Sequence, residues 1–329
     1  MIQFGLIGLG AHGARYAAHL EKDVPGARLA AVCRRNREAG GAWARAHGVR
    51  FYPDYEALLD DREIDAVAVV TTPDVQGDIA AAGARRGKHL ILEKPLSVDA
   101  AAGERLVRAV SGRGVTVMVA QTLRWNAVVE TLRAHLSEIG PLHTIRLSQR
   151  MEGQAHPWQR DRAVAGGGNI LHTGIHLFDL VRFFTGEEVE QVTCEMRSVE
   201  NPGVEDAFAA VMRLAGSGTL VLVDSSKATR SRSARLELVG ERGQLVGDHV
   251  HGYARRIAGN AKTDLAPPPP VFTVKEALRA FVACLARSQA PPVTPVDGLR
   301  AVEIADACYR SAQAGRPEPV NRASLEEVF

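Results

Sequence analysis

Three groups of residues stand at spacings that can do chemistry. The first is Gly8-Leu9-Gly10-Ala11-His12-Gly13, where a short apolar segment gives way to an alanine-rich one. Each glycine has its own reason: Gly8 permits a tight turn, Gly10 lets backbone approach a pyrophosphate, and Gly13 lets helix pack closely on strand. Free N–H groups at the helix start then face an anion. With Ala11 and His12 between them, these residues read as the cradle of a dinucleotide; a bare glycine-rich turn is the alternative.

The second is Lys94, in Glu93-Lys94-Pro95 directly after Leu90-Ile91-Leu92. Just past the carboxyl end of a parallel strand, a lysine faces the crevice where open α/β sheets bind ligands. With a pKa depressed by burial or by a cationic nicotinamide it exchanges a proton with an alcohol, and as an ammonium it polarises a carbonyl. A surface lysine capping the strand is the plain alternative. The third is His172, His176 and Asp179, which share one side if their segment is helical. That spacing suits a substrate-orienting or acid/base pair titrating near neutrality, core histidines satisfied by backbone carbonyls, or a metal site.

The cofactor is chosen at the end of the second strand. NAD-preferring sites hold the ribose 2′-hydroxyl with an acidic side chain there. This chain instead has Arg34 and Arg35 after Cys33. A guanidinium grips a 2′-phosphate that a carboxylate would repel, so NADP is the expected cofactor, ahead of NAD. Solvated surface arginines are the alternative.

Elements must position these groups. Near-continuous apolar strands are expected at 2–7, 27–33, 66–70, 89–92 and 115–120, with helices at 13–20, 36–46, 55–60, 75–86 and 98–112. Such runs, alternating with helices, predict a doubly wound parallel sheet covered on both faces. Beyond residue 122 the pattern changes. A helix is expected over 128–139, stopped by Gly140-Pro141, then strands at 142–151, 189–198, 207–214, 219–225, 235–239 and 244–248. Glycine-containing turns at 215–218 and 240–243 predict two hairpins. Helices at 274–286 and 297–314 close the chain. The expected architecture is an α/β dinucleotide-binding domain, 1–122, followed by an α+β domain, 123–329, with a mostly antiparallel open sheet for substrate binding and association.

The segment from Ala84 through Gly87-Lys88-His89 to Glu93-Lys94-Pro95, the loop Thr72-Pro73-Asp74, and Gly166-Gly167-Gly168 running through His172 and His176 to Asp179 together resemble the Gfo/Idh/MocA oxidoreductases, named after glucose–fructose oxidoreductase and inositol dehydrogenase. The resemblance covers essentially the whole chain. It implies hydride transfer between a nicotinamide and a sugar, cyclitol or related alcohol or carbonyl, with no metal. It makes Lys94 the proton donor or acceptor in an often cis Lys-Pro pair, and His176 an acid/base or orienting residue beside His172. It also places Thr71, Thr72, Pro73, Asp74, Glu93 and Gln121 around the cofactor. Arg124 and Trp125 match an Arg-aromatic pair at the domain junction and are expected to line the cleft. His156 and Trp158, on an irregular stretch, are expected to meet substrate, with Asp161 and Arg162 able to bond hydroxyls. The resemblance further implies a homo-oligomer, dimer or tetramer, paired through the second domain's sheet. Two departures stand out: His172 replaces a common aspartate, and Gly77 replaces a histidine. They leave room for reduction of a non-sugar carbonyl, diol or tetrapyrrole. A catalytically silent dinucleotide sensor on the same fold is the alternative of a different class.

Composition narrows the rest. The chain has 329 residues, 40 basic against 38 acidic, and a net charge of +2. That balance points to no nucleic-acid or membrane-surface partner. Four scattered cysteines form no pair of redox or metal spacing, and the first strand starts at Ile2, so a cytoplasmic protein with reduced thiols is expected. No apolar run reaches the about 18 residues of a membrane span.

Overall fold

The computed structural model describes residues 1–153 and 157–325. Strands β1 (Ile2–Ile7), β2 (Ala27–Cys33), β3 (Arg50–Tyr52), β4 (Ala66–Val69), β5 (His89–Leu92) and β6 (Val117–Val119) form one sheet. Its order is β3-β2-β1-β4-β5-β6, and every pair is parallel. Between them run α1 (Ala11–Lys22), α2 (Arg37–His47), α3 (Tyr55–Asp60), α4 (Pro73–Arg85) and α5 (Ala100–Val110). The continuous apolar runs have the predicted cause: all four residues of β4 are buried, because helices cover both faces. Asn36, Asp54 and Asp99 start α2, α3 and α5 by accepting hydrogen bonds from the N–H of Ala39, Ala57 and Ala102. Strand order reverses between β1 and β4, which opens a crevice at their carboxyl ends.

After a 3₁₀ turn, Thr122–Trp125, come α6 (Ala127–Ala134) and α7 (Leu136–Ile139). The single helix expected over 128–139 is broken at His135, whose φ is −102° and whose ring bonds the Thr131 carbonyl at 2.8 Å. The second sheet has nine strands: β7 (Leu142–Arg150), β8 (Val189–Arg197), β9 (Ala207–Leu214), β10 (Leu220–Ser226), β11 (Ser233–Gly240), β12 (Gly243–Asp248), β13 (Tyr253–Ala258), β14 (Ala261–Asp264) and β15 (Glu318–Pro319). Its order is β14-β13-β12-β11-β7-β10-β9-β8-β15, antiparallel except where β7 meets β10. The β9–β10 and β11–β12 hairpins match expectation. The β13–β14 hairpin was not foreseen, although Gly259-Asn260 at its tip is a hairpin signal.

Helices α8 (Arg162–Ala165), α9 (Ile175–Thr185), α10 (Thr273–Arg287) and α11 (Pro295–Ala314) complete the fold. Helix α11 packs on β8 and α9 on one side and on α5 and β6 on the other. The Val119 N–H donates to the Val293 carbonyl at 3.1 Å. The end of the chain is therefore welded to the first sheet as well as the second. The apolar residues Phe208, Val211, Leu220 and Leu222 of β9 and β10 divide between the two faces of the second sheet. Phe208 points into the core, whereas Val211, Leu220 and Leu222 are 50%, 51% and 40% exposed on the outer face. Strand alternation explains the split, because residues 208 and 211 differ in parity. Among the described residues, no helix is long and apolar enough to cross a membrane.

Candidate active site

The loop between β1 and α1 has the shape a dinucleotide requires. Gly8 has a φ of +99°, and a Cβ there would lie 2.0 Å from the Val70 carbonyl oxygen. A Cβ on Gly13 would lie 1.9 Å from the Gly8 oxygen, whereas one on Gly10 would meet nothing within 4 Å. Helix α1 has no side-chain cap and no acidic residue in its first turn, so its leading N–H groups are free for an anion. Thr71, after β4, buries a hydroxyl oxygen without a hydrogen-bond partner, and Gln121, after β6, does the same with its amide oxygen. Thr72 caps α4, Pro73 opens it, and Asp74 is exposed in its first turn. Arg34 is half-buried and Arg35 exposed at the end of β2, and neither forms an ion pair among the described residues. These residues fit a bound NAD(P).

At the end of β5 the chain makes a buried polar knot. The Glu93 N–H continues the strand ladder to the Val69 carbonyl at 2.9 Å. Glu93 Oε1 accepts from Tyr16 at 2.6 Å and meets His12 Nε2 at 2.8 Å; Oε2 accepts from the Lys94 backbone N–H at 2.9 Å. Burial pushes the Glu93 carboxyl up, but the hydrogen bond and charge of His12, with Lys94 and Tyr16, hold it below the ordinary value. Gln76, unforeseen from the sequence, is buried in α4. Its amide reaches the carbonyls of Glu93 at 2.7 Å, Pro95 at 3.1 Å and Leu96 at 3.1 Å, fixing the turn that contains a cis Lys94-Pro95 bond.

Lys94 Nζ donates to the backbone carbonyl of His172, 3.0 Å away. Burial lowers the Lys94 pKa, with Glu93 opposing in part. His172 lies not in a regular helix but in a wider π turn, Ile170–Gly174, leading into α9. Gly168 makes this turn possible, because a Cβ there would sit 1.9 Å from the Glu205 oxygen. The His172 ring is committed elsewhere: Nε2 bonds the Ala165 carbonyl at 3.1 Å, and Trp158 stands edge-on at 5.3 Å. His176 instead buries Nδ1 without a partner. Burial first, then nearby cations including Lys94 and Lys227, drive both histidines well below their ordinary pKa. Both are neutral imidazoles at neutral pH.

Several expectations need correction. Asp179 does not serve the histidines; it forms a two-pronged ion pair with Arg124, at 2.8 and 2.6 Å. Arg124 also reaches Asp297 at 3.4 Å and the Pro292 carbonyl at 3.1 Å, and it opens on a separate groove with Arg133 and Phe183. The charge neighbouring it on α9 thus claims the arginine expected in the substrate cleft. Trp125 is partly buried against the core. Asp161 caps α8 through the Ala163 N–H, and Arg162 lies over the Tyr309 ring at 5.2 Å; both are exposed. His156 lies outside the described residues.

Besides Gln76, two residues escaped sequence reasoning. Lys227, just after β10, lines a cleft with His172 and Asn169. His249, after β12, buries an unpartnered Nε2, and its charge bears on His176. No motif surrounds either; their signal was only a polar residue ending a strand of the second sheet.

A doubly wound sheet with a glycine cradle, followed by a mostly antiparallel sheet and a turn that meets the lysine, defines a nicotinamide-dependent oxidoreductase. Residues 2–121 match the family described as "Oxidoreductase family, NAD-binding Rossmann fold", and residues 129–246 match the "GFO/IDH/MocA C-terminal domain". The chain belongs to the Gfo/Idh/MocA oxidoreductase family. It is 30% identical over 337 residues to an inositol 2-dehydrogenase of Saccharopolyspora erythraea, covering 100% of this chain and 98% of the relative. To a D-apiose dehydrogenase of Paraburkholderia graminis it is 27% identical, covering 98% and 90%. Its fold is that of an aldose-aldose oxidoreductase from Caulobacter crescentus, with a TM-score of 0.88 at 24% identity over 97% of this chain and 99% of the other. The protein is an NAD(P)-dependent oxidoreductase of CH–OH and C=O chemistry.

Proposed function

We propose that the enzyme interconverts a CH–OH group and a carbonyl on a sugar, cyclitol or sugar derivative, with NADP preferred over NAD. The observation that carries the reading is the amine of Lys94, half-buried between the dinucleotide cradle and the turn leading into α9, with its pKa lowered by desolvation. The cofactor, when bound, supplies the hydride acceptor or donor. Lys94 takes up the hydroxyl proton in oxidation and, as an ammonium, returns it to the carbonyl oxygen in reduction. The His172 carbonyl, 3.0 Å from Nζ, fixes the amine's direction. His176 offers its unpartnered Nδ1 to a substrate hydroxyl. The His172 ring, bonded to Ala165, acts by positioning Trp158 and the Lys94 carbonyl partner rather than by moving a proton. The unpaired Arg34 and Arg35 support the choice of NADP.

Lys94→Met tests the reading. Loss of a positioned proton donor costs a factor of about 10² to 10⁴, so kcat for polyol oxidation falls by that much while the cofactor Kd stays within about threefold. A kcat within tenfold of the native value overturns the assignment. A silent sensor would oxidise no polyol in a broad panel even before mutation. The outer apolar face bearing Val211, Leu220 and Leu222 supports pairing of two copies through the second sheet.

A further inference from the structure

The cleft beside His172 holds a cation that the chemistry above leaves idle. Lys227 and Arg160 line it with Gln159, Asn169, Asn201 and His172. Strand β10 delivers Lys227, and its backbone N–H is pinned to the Asp206 carbonyl at 2.7 Å. Both nearby carboxylates already accept other donors. Glu205 accepts from the Gly168 N–H at 3.0 and 3.1 Å, from the Ile170 N–H at 2.9 Å and from the Tyr309 hydroxyl at 2.8 Å. Asp206 accepts from the N–H groups of Val199 at 2.7 Å, Glu200 at 2.7 Å and Asn201 at 3.1 Å. Among the described residues, neither the Lys227 ammonium nor the Arg160 guanidinium forms an ion pair. Burial is the main cause that lowers Lys227 to about 7, Lys94 adds to it, and Glu205 opposes. An amine held this way gains most when an anion arrives, because the anion repays its lost hydration.

We propose that Lys227, with Arg160 beside it, binds a carboxylate carried by the substrate, so that the enzyme prefers sugar acids to neutral sugars and cyclitols. The inference rests on the dehydrogenase reading and specifies its substrate class. One residue connects the two positions: Lys94 bonds the His172 carbonyl, the same His172 lines the Lys227 cleft, and the charge of Lys94 bears on Lys227. A reacting hydroxyl at Lys94 and a carboxylate at Lys227 then sit on either side of one residue. A monoanion suits the cleft better than a phosphate dianion, which would meet the carboxylates of Glu205 and Asp206 at closer electrostatic cost.

Matched pairs test the idea: D-glucuronate against D-glucose, and D-galacturonate against D-galactose, each with NADP⁺ and NAD⁺. The native enzyme is expected to favour the acid by about tenfold or more in kcat/KM, through KM. In Lys227→Met the acid-to-neutral ratio falls at least about tenfold, and Lys227→Arg retains most of it. Circular dichroism and the cofactor Kd establish that the variants fold. Neutral sugars used as well as their acids, or an equal loss on both in Lys227→Met, overturns the inference and leaves the dehydrogenase reading intact. Failure of that reading looks different: no sugar, polyol or acid reduces either cofactor. In that event D-glucuronate must still raise the Tm of the native enzyme–cofactor complex more than D-glucose does, an excess lost in Lys227→Met; without it the inference falls too.

Discussion

Breaking the Arg124–Asp179 pair has two unequal outcomes, and the inequality follows from the charges around it. Asp179 is 1% exposed and has two bonds to Arg124. The wider cluster holds two arginines, Arg124 and Arg182, against the carboxylates of Asp179, Asp297 and Glu188. Arg124→Ala leaves one cation against three carboxylates and strands Asp179 without a partner, a loss of about 3–5 kcal/mol. Asp179→Ala leaves two cations against two carboxylates, and Arg124 keeps the Pro292 carbonyl at 3.1 Å and Asp297 at 3.4 Å. That loss is about 1–3 kcal/mol. Urea unfolding at neutral pH measures both. Burial already raises the Asp179 pKa. In Arg124→Ala the carboxyl protonates more readily still, so part of the lost stability returns as the pH falls toward the ordinary carboxylate range. In both variants the KM for substrate changes less than about threefold, because the pair opens on a separate groove. The reasoning fails if Asp179→Ala costs as much as Arg124→Ala, if both cost under about 1 kcal/mol, or if Arg124→Ala raises KM without loss of stability.

Three further outcomes follow from the same geometry. Arg34→Asp exchanges a phosphate-gripping cation for a repelling carboxylate, so the NADPH-to-NADH ratio of kcat/KM should drop about 10- to 100-fold; a native ratio below one refutes the NADP preference. His172 and His176 are held neutral in the folded chain but protonate once it unfolds, so the unfolded state binds more protons below the unfolded pKa of about 6.5. Stability therefore falls as pH drops from 6.5 to 5.5, by about 1 kcal/mol per histidine held neutral, and in urea titrations His176→Gln should remove one histidine's share of a slope to which His89 and His249 also contribute. Buried Glu205 and Asp179, with raised pKa values, act in the opposite sense. Light scattering should find an oligomer that Leu222→Glu, directly opposite Val211 on the outer face, converts to monomer; a monomeric native protein ends the pairing proposal.

The sequence disclosed what short-range physics controls. Strand β4 and the carboxyl halves of β1 and β2 were readable because burial on both faces demands apolar runs, and Gly8 and Gly13 of the first loop because backbone contacts near 2 Å admit no Cβ. Strand β3, three residues long, lacks the length to show a period. At the site, Lys94 was legible because it is tied to the end of one strand. Arg124 was misplaced because its fate depends on Asp179, 55 residues away, and on Asp297 beyond that. Local pattern carries no information about which of two distant charges captures a guanidinium. The same holds for Lys227, whose importance comes from what it lacks, and a missing partner leaves no trace in a motif.

The division of labour in the site follows from where those residues come from. Everything that fits the cofactor lies at the carboxyl edge of the first sheet, on loops whose shape is set by backbone crowding and which therefore tolerate little change. The residues proposed to select the substrate stand at the ends of strands of the second sheet and in the segment before α9, where side chains rather than backbone line the cleft: Lys227 after β10, His249 after β12, Trp158 against His172. The π turn joins the two, because its His172 carbonyl meets the lysine of the first sheet while its ring meets Trp158 and the Ala165 carbonyl in the segment before α9. A substitution on the wall should therefore change which alcohol is oxidised while leaving the cofactor's grip alone. The reverse should hold for a substitution in the glycine loop. Such a split in KM between the two ligands is the behaviour this architecture requires.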